Sequence, residues 1–219
     1  MERTGLDVPG TAQLGGTRPA VFRSPINTDR VTFRQWTDAD REPFAAMGAD
    51  PEVMRYFPAL LTRSESDASL DRFAAKIASD GWGLWALEVE GRFVGFTGLA
   101  IPRFVAPFMD GMASPCVEIG WRLTRDAWGK GLATESARAV LDFGFRSLEL
   151  AEIVSFTSVT NTRSQAVMLR LGMTHNPLDD FEHPSVPVGS PLRPHVLYRR
   201  HAAEGSAMGA AEEAGIPHR

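Results

Sequence analysis

The feature that most constrains this 219-residue chain is a glycine-rich turn placed between a strand-like segment and a helix-like segment. The strand-like segment runs from Cys116 to Leu123, and the turn that follows contains Gly129 and Gly131. A helix is predicted over 129–148 because apolar residues recur on one face at helical spacing. The free N–H groups and dipole of a helix start favour an anion, and glycines let the backbone approach it closely. The pattern therefore predicts either a diphosphate site or a tight turn that uses glycine for geometry alone.

Two well-known phosphate motifs do not fit this turn. A P-loop requires Lys followed by Ser or Thr after its second glycine, whereas Leu132 follows Gly131 here. The dinucleotide fingerprint requires a third glycine three residues further on, where this chain has Thr134. A nucleotide-binding protein of either type is therefore disfavoured, and a diphosphate bound here would be of another kind.

The other periodicities place this turn in a mixed α/β domain, with helices packed on a central sheet. Strands are predicted over 30–36, 84–89, 92–101, 116–123, 152–158 and 195–198, with a hairpin turn at Glu90-Gly91. Helix starts are predicted at Thr37–Asp40, Asp50–Glu52 and Thr62–Glu65, and further helices over 129–148 and 161–171. We expect a flexible leader over 1–28, a single domain over 29–200 and a disordered tail over 201–219.

Composition and charge argue against several classes of protein. The single cysteine, Cys116, excludes an intramolecular disulfide framework and a Cys-rich zinc site, and favours a reducing cytoplasmic location. The net charge of −4 provides no overall basic field for nucleic acid. No apolar run approaches the ~20 residues needed to cross a bilayer. We therefore expect no metal, no nucleic-acid partner and no membrane partner.

Three runs of residues lie together around the turn: Trp128-Gly129-Lys130-Gly131-Leu132-Ala133, Glu118-Ile119-Gly120-Trp121 before it and Thr134-Glu135 after it. These runs resemble the GCN5-related N-acetyltransferases, and within them the ribosomal-protein alanine acetyltransferase branch. Further matches are Asn161-Thr162-Arg163-Ser164, Leu171-Gly172-Met173 and the opening segment Thr32–Asp40. The matches follow the expected order and spacing and extend over about residues 28–199.

The resemblance implies an acetyl-CoA-dependent N-acetyltransferase with an α/β (α+β) fold. Its central sheet would be mixed and largely antiparallel, with a splayed strand pair at the acyl-CoA site and helices on both faces. The pyrophosphate would bind the backbone of the loop residues Trp128, Gly129, Lys130, Gly131, Leu132, Ala133 and Thr134. Backbone groups of Ile119, Trp121 and Leu123 would contact the pantetheine arm. Asn161 would bind the same arm, unless it serves only as a helix N-cap.

The implied reaction needs a base, because an amine attacks a thioester only in its neutral form. Glu118, on the strand beside the expected cofactor gap, is the candidate general base, although a strand glutamate is more often a solvated surface residue. Many family members protonate the leaving thiolate with a tyrosine at the position where this chain has Met168. Ser164 is therefore the candidate proton donor. Cys116 is interpreted as a small core residue.

The acceptor is expected to be a small-molecule or peptide amine, and the protein a monomer or homodimer. Two long loops could border its pocket. Loop 102–115 carries Phe104, Phe108, Met109 and Met112 and could form an apolar wall. The charged run Asp179–His183 would favour a cationic amine if it folded over the pocket, and is otherwise a solvated loop.

In one alternative, the chain binds acyl-CoA but does not catalyse acetyl transfer. It would then be a degenerate acyl-CoA-binding sensor or interaction module. Trp128, where the family usually has Arg or Gln, and Met168 are its support.

Overall fold

The computed structural model describes residues 26–110, 112 and 115–202. Within these residues the strands are β1 (Thr32–Arg34), β2 (Leu84–Val89), β3 (Arg92–Ala100), β4 (Glu118–Leu123), β5 (Glu152–Ser158), β6 (Thr174–His175), β7 (Phe181–Glu182) and β8 (Pro194–His201). The α-helices are α1 (Arg41–Ala49), α2 (Arg63–Asp80), α3 (Leu132–Ser147) and α4 (Thr162–Arg170).

The strands form one sheet in the order β1-β2-β3-β4-β5-β8-β6, with β7 also pairing to β8. Neighbouring strands are antiparallel except β4 and β5, which run parallel. These two share one register pair, Glu118 with Val154, and then separate. The expected α/β fold with a mixed, largely antiparallel sheet and a splayed strand pair is confirmed.

Helices cover both faces of the sheet, as expected. On the face covered by α1 and α2, the Trp36 ring lies 5.0 Å from the Phe44 ring and 6.2 Å from the Phe96 ring. On the opposite face, Phe143 of α3 meets Trp85 edge to face at 5.5 Å. Aromatic side chains of this size dominate the apolar area that a core buries, so they hold the helices on the sheet.

The hairpin between β2 and β3 is built as predicted. Glu90 and Gly91 have φ values of 51° and 72°, the left-handed conformation that a two-residue hairpin turn requires. Further along β3, Gly95 has a φ of 134°, opposite a register shift in β2. A Cβ at Gly95 would lie 2.2 Å from the Arg122 carbonyl oxygen, so glycine allows β3 to approach β4 there.

The helix start predicted at Asp50-Pro51-Glu52 is wrong. Residues 51–59 form turns and bends, and the Asp50 carboxylate accepts a hydrogen bond from the Glu52 N–H at 2.8 Å. This is a local Asx turn rather than a helix cap. Pro58 also disfavours helical backbone at Phe57, which leaves too short a segment for a stable helix. The helix start at Thr62–Glu65 is confirmed as a capping box.

The observed boundaries differ from the predicted ones by a few residues. β4 begins at Glu118 rather than at 116, and α3 begins at Leu132 rather than at 129. β8 extends to His201, and Ile26, within the predicted leader, is buried in the core. The remaining leader and tail residues, 1–25 and 203–219, lie outside the described residues. None of the described helices is long and apolar enough to span a membrane.

We predict that Gly98→Ala destabilises the protein more than Gly91→Ala. A Cβ at Gly98 would lie 1.9 Å from the Gly83 carbonyl oxygen, so backbone must move. Gly91→Ala strains a positive φ but meets nothing within 4 Å. Denaturant unfolding should show a loss of about 3 kcal/mol for Gly98→Ala and about 1 kcal/mol for Gly91→Ala. Equal losses would contradict the close approach of the two backbones.

Candidate active site

A cleft of about 1730 Å³ opens where β4 and β5 separate. It brings together most of the residues predicted from the sequence. Its lining includes Glu118, Ile119, Trp121, Leu123, Trp128, Gly129, Gly131, Leu132, Ala133, Thr134, Asn161 and Ser164. Lys130 lies in the same loop with an exposed side chain. The cleft therefore unites the strand, the glycine-rich turn and the start of α4 around one space.

Alternate residues of β4 present their backbone groups to this cleft. The Ile119 carbonyl accepts a hydrogen bond from the Ser155 hydroxyl of β5 at 3.0 Å. The Leu123 carbonyl accepts one from the Trp128 indole N–H at 2.9 Å, on the same side of the strand. Trp121 lies between them, so its backbone groups point to the same edge of the strand, and it lies beyond the last residue pair that β4 forms with β5. Its backbone N–H and C=O therefore face the gap, where an extended amide chain could pair with them.

The backbone from Gly129 to Thr134 presents a row of N–H groups without a hydrogen-bond acceptor among the described residues. Gly129 and Gly131 have φ values of 73° and 79°, which turn the chain so that α3 begins at Leu132. A side chain at Gly129 would meet nothing within 4 Å, so the space in front of the loop is open. Free N–H groups at a helix start, with no Cβ in front of them, fit a diphosphate.

The loop is held from behind by the segment that precedes β1. Arg30 donates from Nη1 to the Lys130 carbonyl at 2.9 Å and from Nε to the Glu135 carboxylate at 2.7 Å. Thr28 also donates its hydroxyl to Glu135. The glutamate of the Thr134-Glu135 pair therefore fixes the loop through an arginine that is distant in sequence, a role the motif alone did not indicate.

Trp128 also has a structural role in this loop. Its indole bond to the Leu123 carbonyl ties the loop to the end of β4. The Arg163 guanidinium lies 4.9 Å from the indole ring, on the α4 side of the cleft. The Trp128 side chain is thus engaged with protein on both sides, and the N–H groups of the following residues stay free.

Glu118 is half-buried in the cleft, at the point where β4 and β5 separate. Its carboxylate has neither an ion-pair nor a hydrogen-bond partner among the described residues. Burial raises the pKa of Glu118 to about 8, because desolvation disfavours the charged form. A carboxyl group with a pKa near neutral pH is suited to taking a proton from an amine.

Asn161 and Ser164 form a small polar network at the start of α4. The Asn161 Oδ1 accepts from the Ser164 N–H at 3.2 Å, so Asn161 is the helix N-cap. Its Nδ2 donates to the Thr157 hydroxyl at 2.9 Å and to the Ser164 hydroxyl oxygen at 3.0 Å. Because that oxygen accepts a bond, the Ser164 proton remains free to be donated into the cleft. The capping role of Asn161 is thus shown, and its contact with a cofactor stays a prediction.

Cys116 and Met168 belong to the packing around the site. Burial, followed by the charges of Glu118 and Glu152, raises the pKa of the Cys116 thiol to about 12. The thiol is therefore protonated and unreactive at neutral pH, which confirms its interpretation as a core residue. Met168 is buried in the main core.

The charged run Asp179–His183 does not offer its carboxylates to the cleft. These groups are engaged within the same region: Asp179 pairs with Arg199 at 2.9 Å and Glu182 with Arg193 at 3.1 Å, and Asp180 is hydrogen-bonded to the His175 ring at 2.8 Å. His183 lines the cleft instead. Burial, His195 and Arg193 lower the pKa of His183 to about 4, so its ring is neutral at neutral pH. Within the described residues no group of three His, Cys, Asp or Glu side chains could hold a metal ion.

The apolar residues of loop 102–115 form a layer behind the cleft wall. Phe104 and Phe108 pack against Phe156 at 5.5 Å and 6.1 Å, measured between ring centroids. Phe156 itself lines the cleft. Met109 and Met112 pack in the same cluster, and residues 111, 113 and 114 lie outside the described residues.

Tyr56, Phe57 and Arg122 are among the cleft-lining residues that the sequence analysis did not single out. Arg122 shares a strand face with Glu118, so the two-residue period of β4 could have identified it. Tyr56 and Phe57 lie in the irregular segment between α1 and α2, where no periodic pattern indicates which way a side chain points.

The comparisons with known proteins agree with this geometry. The chain matches the acetyltransferase (GNAT) domain family over residues 30–174. A curated relative, the FsC-acetyl coenzyme A-N(2)-transacetylase of Aspergillus fumigatus, is 33% identical over 154 residues. The match covers 68% of this chain and 65% of that enzyme, so slightly less than two thirds of the relative's length is represented.

Solved structures show the same fold. An acetyltransferase from Agrobacterium tumefaciens has 26% identity and a TM-score of 0.63, covering 85% of this chain and 99% of that one. RimJ of Mycobacterium smegmatis, solved with CoA-disulfide, has 19% identity and a TM-score of 0.61, covering 78% and 82%. That second likeness shows the fold alone. The chain therefore belongs to the GNAT acetyltransferases, a family of acetyl-CoA-dependent N-acetyltransferases.

Proposed function

We propose that this protein transfers an acetyl group from acetyl-CoA directly to a primary amine, with Glu118 as general base and Ser164 as proton donor. The observation that carries the proposal is the position of Glu118. Its unpartnered carboxyl group lies where β4 and β5 separate, in the same cleft as the free N–H groups of the glycine loop.

In this proposal acetyl-CoA supplies the activated acyl group as a thioester. The N–H groups of Gly129 to Thr134 bind its pyrophosphate, and the backbone of Trp121 pairs with its pantetheine arm. Asn161 contacts the same arm while remaining the cap of α4. The Arg30–Glu135 contact keeps the loop in the conformation that exposes its N–H groups.

Glu118 removes a proton from the attacking amine, directly or through water. An amine with an ordinary pKa of about 8 to 10 is mostly protonated at neutral pH and cannot attack. Because the pKa of Glu118 is raised to about 8, the carboxylate is basic enough to accept that proton. A backbone N–H of the Ile119–Trp121 stretch stabilises the charge that develops on the carbonyl oxygen, an effect worth roughly 10²–10³-fold.

Ser164 passes its free hydroxyl proton to the departing sulfur and takes up a proton from water in the cleft, while Glu118 returns the amine's proton to solvent. A thiolate with an ordinary pKa of about 8.5 is a good leaving group, so this donation contributes less than the base does. Met168 is buried in the core and has no proton to donate. Ser164, in the first turn of α4, is therefore the polar candidate for this role.

The acceptor in this proposal is a small-molecule or peptide amine. The Aspergillus fumigatus relative is named for N(2) transfer from acetyl coenzyme A, which supports an amine acceptor. Protein N-termini stay among the candidate acceptors, as the sequence resemblance to the ribosomal-protein alanine acetyltransferase branch implies. The single thiol, Cys116, is free and buried, and we propose the reducing cytoplasm as the location.

We predict that Glu118→Gln lowers kcat/KM for acetyl transfer by roughly 10²–10⁴-fold. The amide cannot accept the amine's proton, but it keeps the size of the side chain. Thiol release with acetyl-CoA and a panel of amines measures the loss, and calorimetry should show unchanged affinity for CoA. Glu52→Gln is the control, because Glu52 is an exposed carboxylate at the same cleft. Equal rates above background would overturn Glu118 as the base, and thiol release at background level in both proteins would favour the binding-only module.

We predict that Gly129→Ala weakens CoA binding by roughly tenfold. The added Cβ strains a φ of 73° and enters the open space in front of the loop. Gly189→Ala is the matched control, because Gly189 has a φ of 84° and its Cβ would also meet nothing within 4 Å. Calorimetry should show weaker CoA binding for Gly129→Ala alone. An equal effect of both substitutions, or of neither, would contradict the proposed pyrophosphate site.

A further inference from the structure

Arg122 lies on the same face of β4 as Glu118 and lines the same cleft. Its guanidinium carbon lies 4.0 Å from the centroid of the Phe57 ring and 5.4 Å from that of the Phe96 ring. Phe96 belongs to the core cluster, and Phe57 belongs to the segment between α1 and α2. The two rings therefore fix the position of the guanidinium within the cleft.

The charge of Arg122 is not balanced by any acidic group of the described residues. Its side chain takes part in neither an ion pair nor a hydrogen bond there, and its buried Nε atom has no partner. Burial lowers the pKa of Arg122 to about 10, which still leaves the group charged at neutral pH. By contrast, Arg34 and Arg199 at other sites of the sheet each contact two carboxylates. A guanidinium whose Nε is buried without a hydrogen-bond acceptor is destabilising, so binding of an anion there would be favourable.

Glu118 does not supply that anion. The two residues are four apart on an extended strand, about 13 Å between their Cα atoms, and they form no ion pair. Gly120 lies between them on the same face, and a Cβ there would meet only a Glu118 oxygen, at 3.9 Å. The floor of the cleft between the base and the guanidinium is therefore open to a bound molecule.

We propose that Arg122 binds a carboxylate of the acceptor, so that the substrates of this enzyme are amines that also carry a carboxylate group. This inference rests on the proposed function. The acceptor would lie across Gly120, with its amine at Glu118 and its carboxylate at Arg122. The guanidinium lies against the Phe57 and Phe96 rings, and its terminal N–H groups, which have no acceptor among the described residues, match a planar carboxylate in a bidentate contact.

The test compares amino acids of increasing length with their uncharged amides. Glycine, β-alanine, γ-aminobutyrate and ε-aminohexanoate are each paired with the corresponding primary amide in the thiol-release assay. We expect the wild type to prefer at least one acid over its amide by about tenfold to a hundredfold in kcat/KM. Arg122→Gln should remove this preference, and Arg122→Lys should retain part of it. Arg55→Gln, at an exposed arginine of the same cleft, should leave the preference unchanged.

Two further readouts separate a binding role from a structural one. Affinity for CoA and the midpoint of thermal unfolding should be similar in the wild type and Arg122→Lys. Calorimetric binding of the N-acetylated acids, which needs no turnover, should be lost in Arg122→Gln. Equal turnover of acids and amides by the wild type would overturn the carboxylate inference and leave the acetyltransferase intact. If no amine releases thiol, the proposed function fails, and the calorimetric binding alone then decides whether Arg122 holds a carboxylate.

Discussion

The pairing of β4 with β5 ends after a single residue pair, and the rest of the site depends on this separation. A parallel ladder that continued would satisfy the backbone of Trp121 and close the cleft. Instead, the Ser155 hydroxyl replaces one backbone bond at Ile119, and the Trp128 indole caps Leu123. These two side-chain bonds satisfy the carbonyls of Ile119 and Leu123, and the backbone of Trp121 between them stays open to an extended ligand.

Two charged side chains beside the glycine loop have partners of opposite charge among the described residues, whereas Glu118 and Arg122 inside the cleft do not. Around the glycine loop, Arg30 and Glu135 neutralise each other and hold the backbone that we propose binds the phosphates. Inside the cleft, Glu118 and Arg122 are both poorly solvated and lack partners of opposite charge among the described residues. Such groups oppose folding, and their presence on one strand face is typical of a site in which substrate supplies the missing contacts.

The sequence was informative where periodicity and caps act locally. The hairpin at Glu90-Gly91 and the capping box at Thr62–Glu65 follow from short-range rules, and both are present. The collinear motifs also placed Glu118 and the glycine loop in one cleft. What the sequence could not indicate depends on contacts across the fold.

Three particular residues illustrate that limit. The Arg30 contact with Glu135 joins positions about a hundred residues apart, and no local pattern indicates that these two residues meet. Phe57 reaches Arg122 from an irregular segment whose direction is set by Pro58 and by the surrounding packing. The raised pKa of Glu118 depends on the burial of its carboxyl group, which only the folded chain creates.

The pH dependence of kcat/KM tests most directly whether ionised Glu118 takes the proton of the amine. The acceptor should be an amine whose own pKa lies well below neutrality, so that its titration does not contribute. Since the pKa of Glu118 is raised, the active ionised form accumulates as the pH increases, and kcat/KM should rise through an apparent pKa of about 8. Glu118→Gln should lose that limb. A flat wild-type profile, or the same rise with pH in Glu118→Gln, would contradict the role of Glu118 as general base.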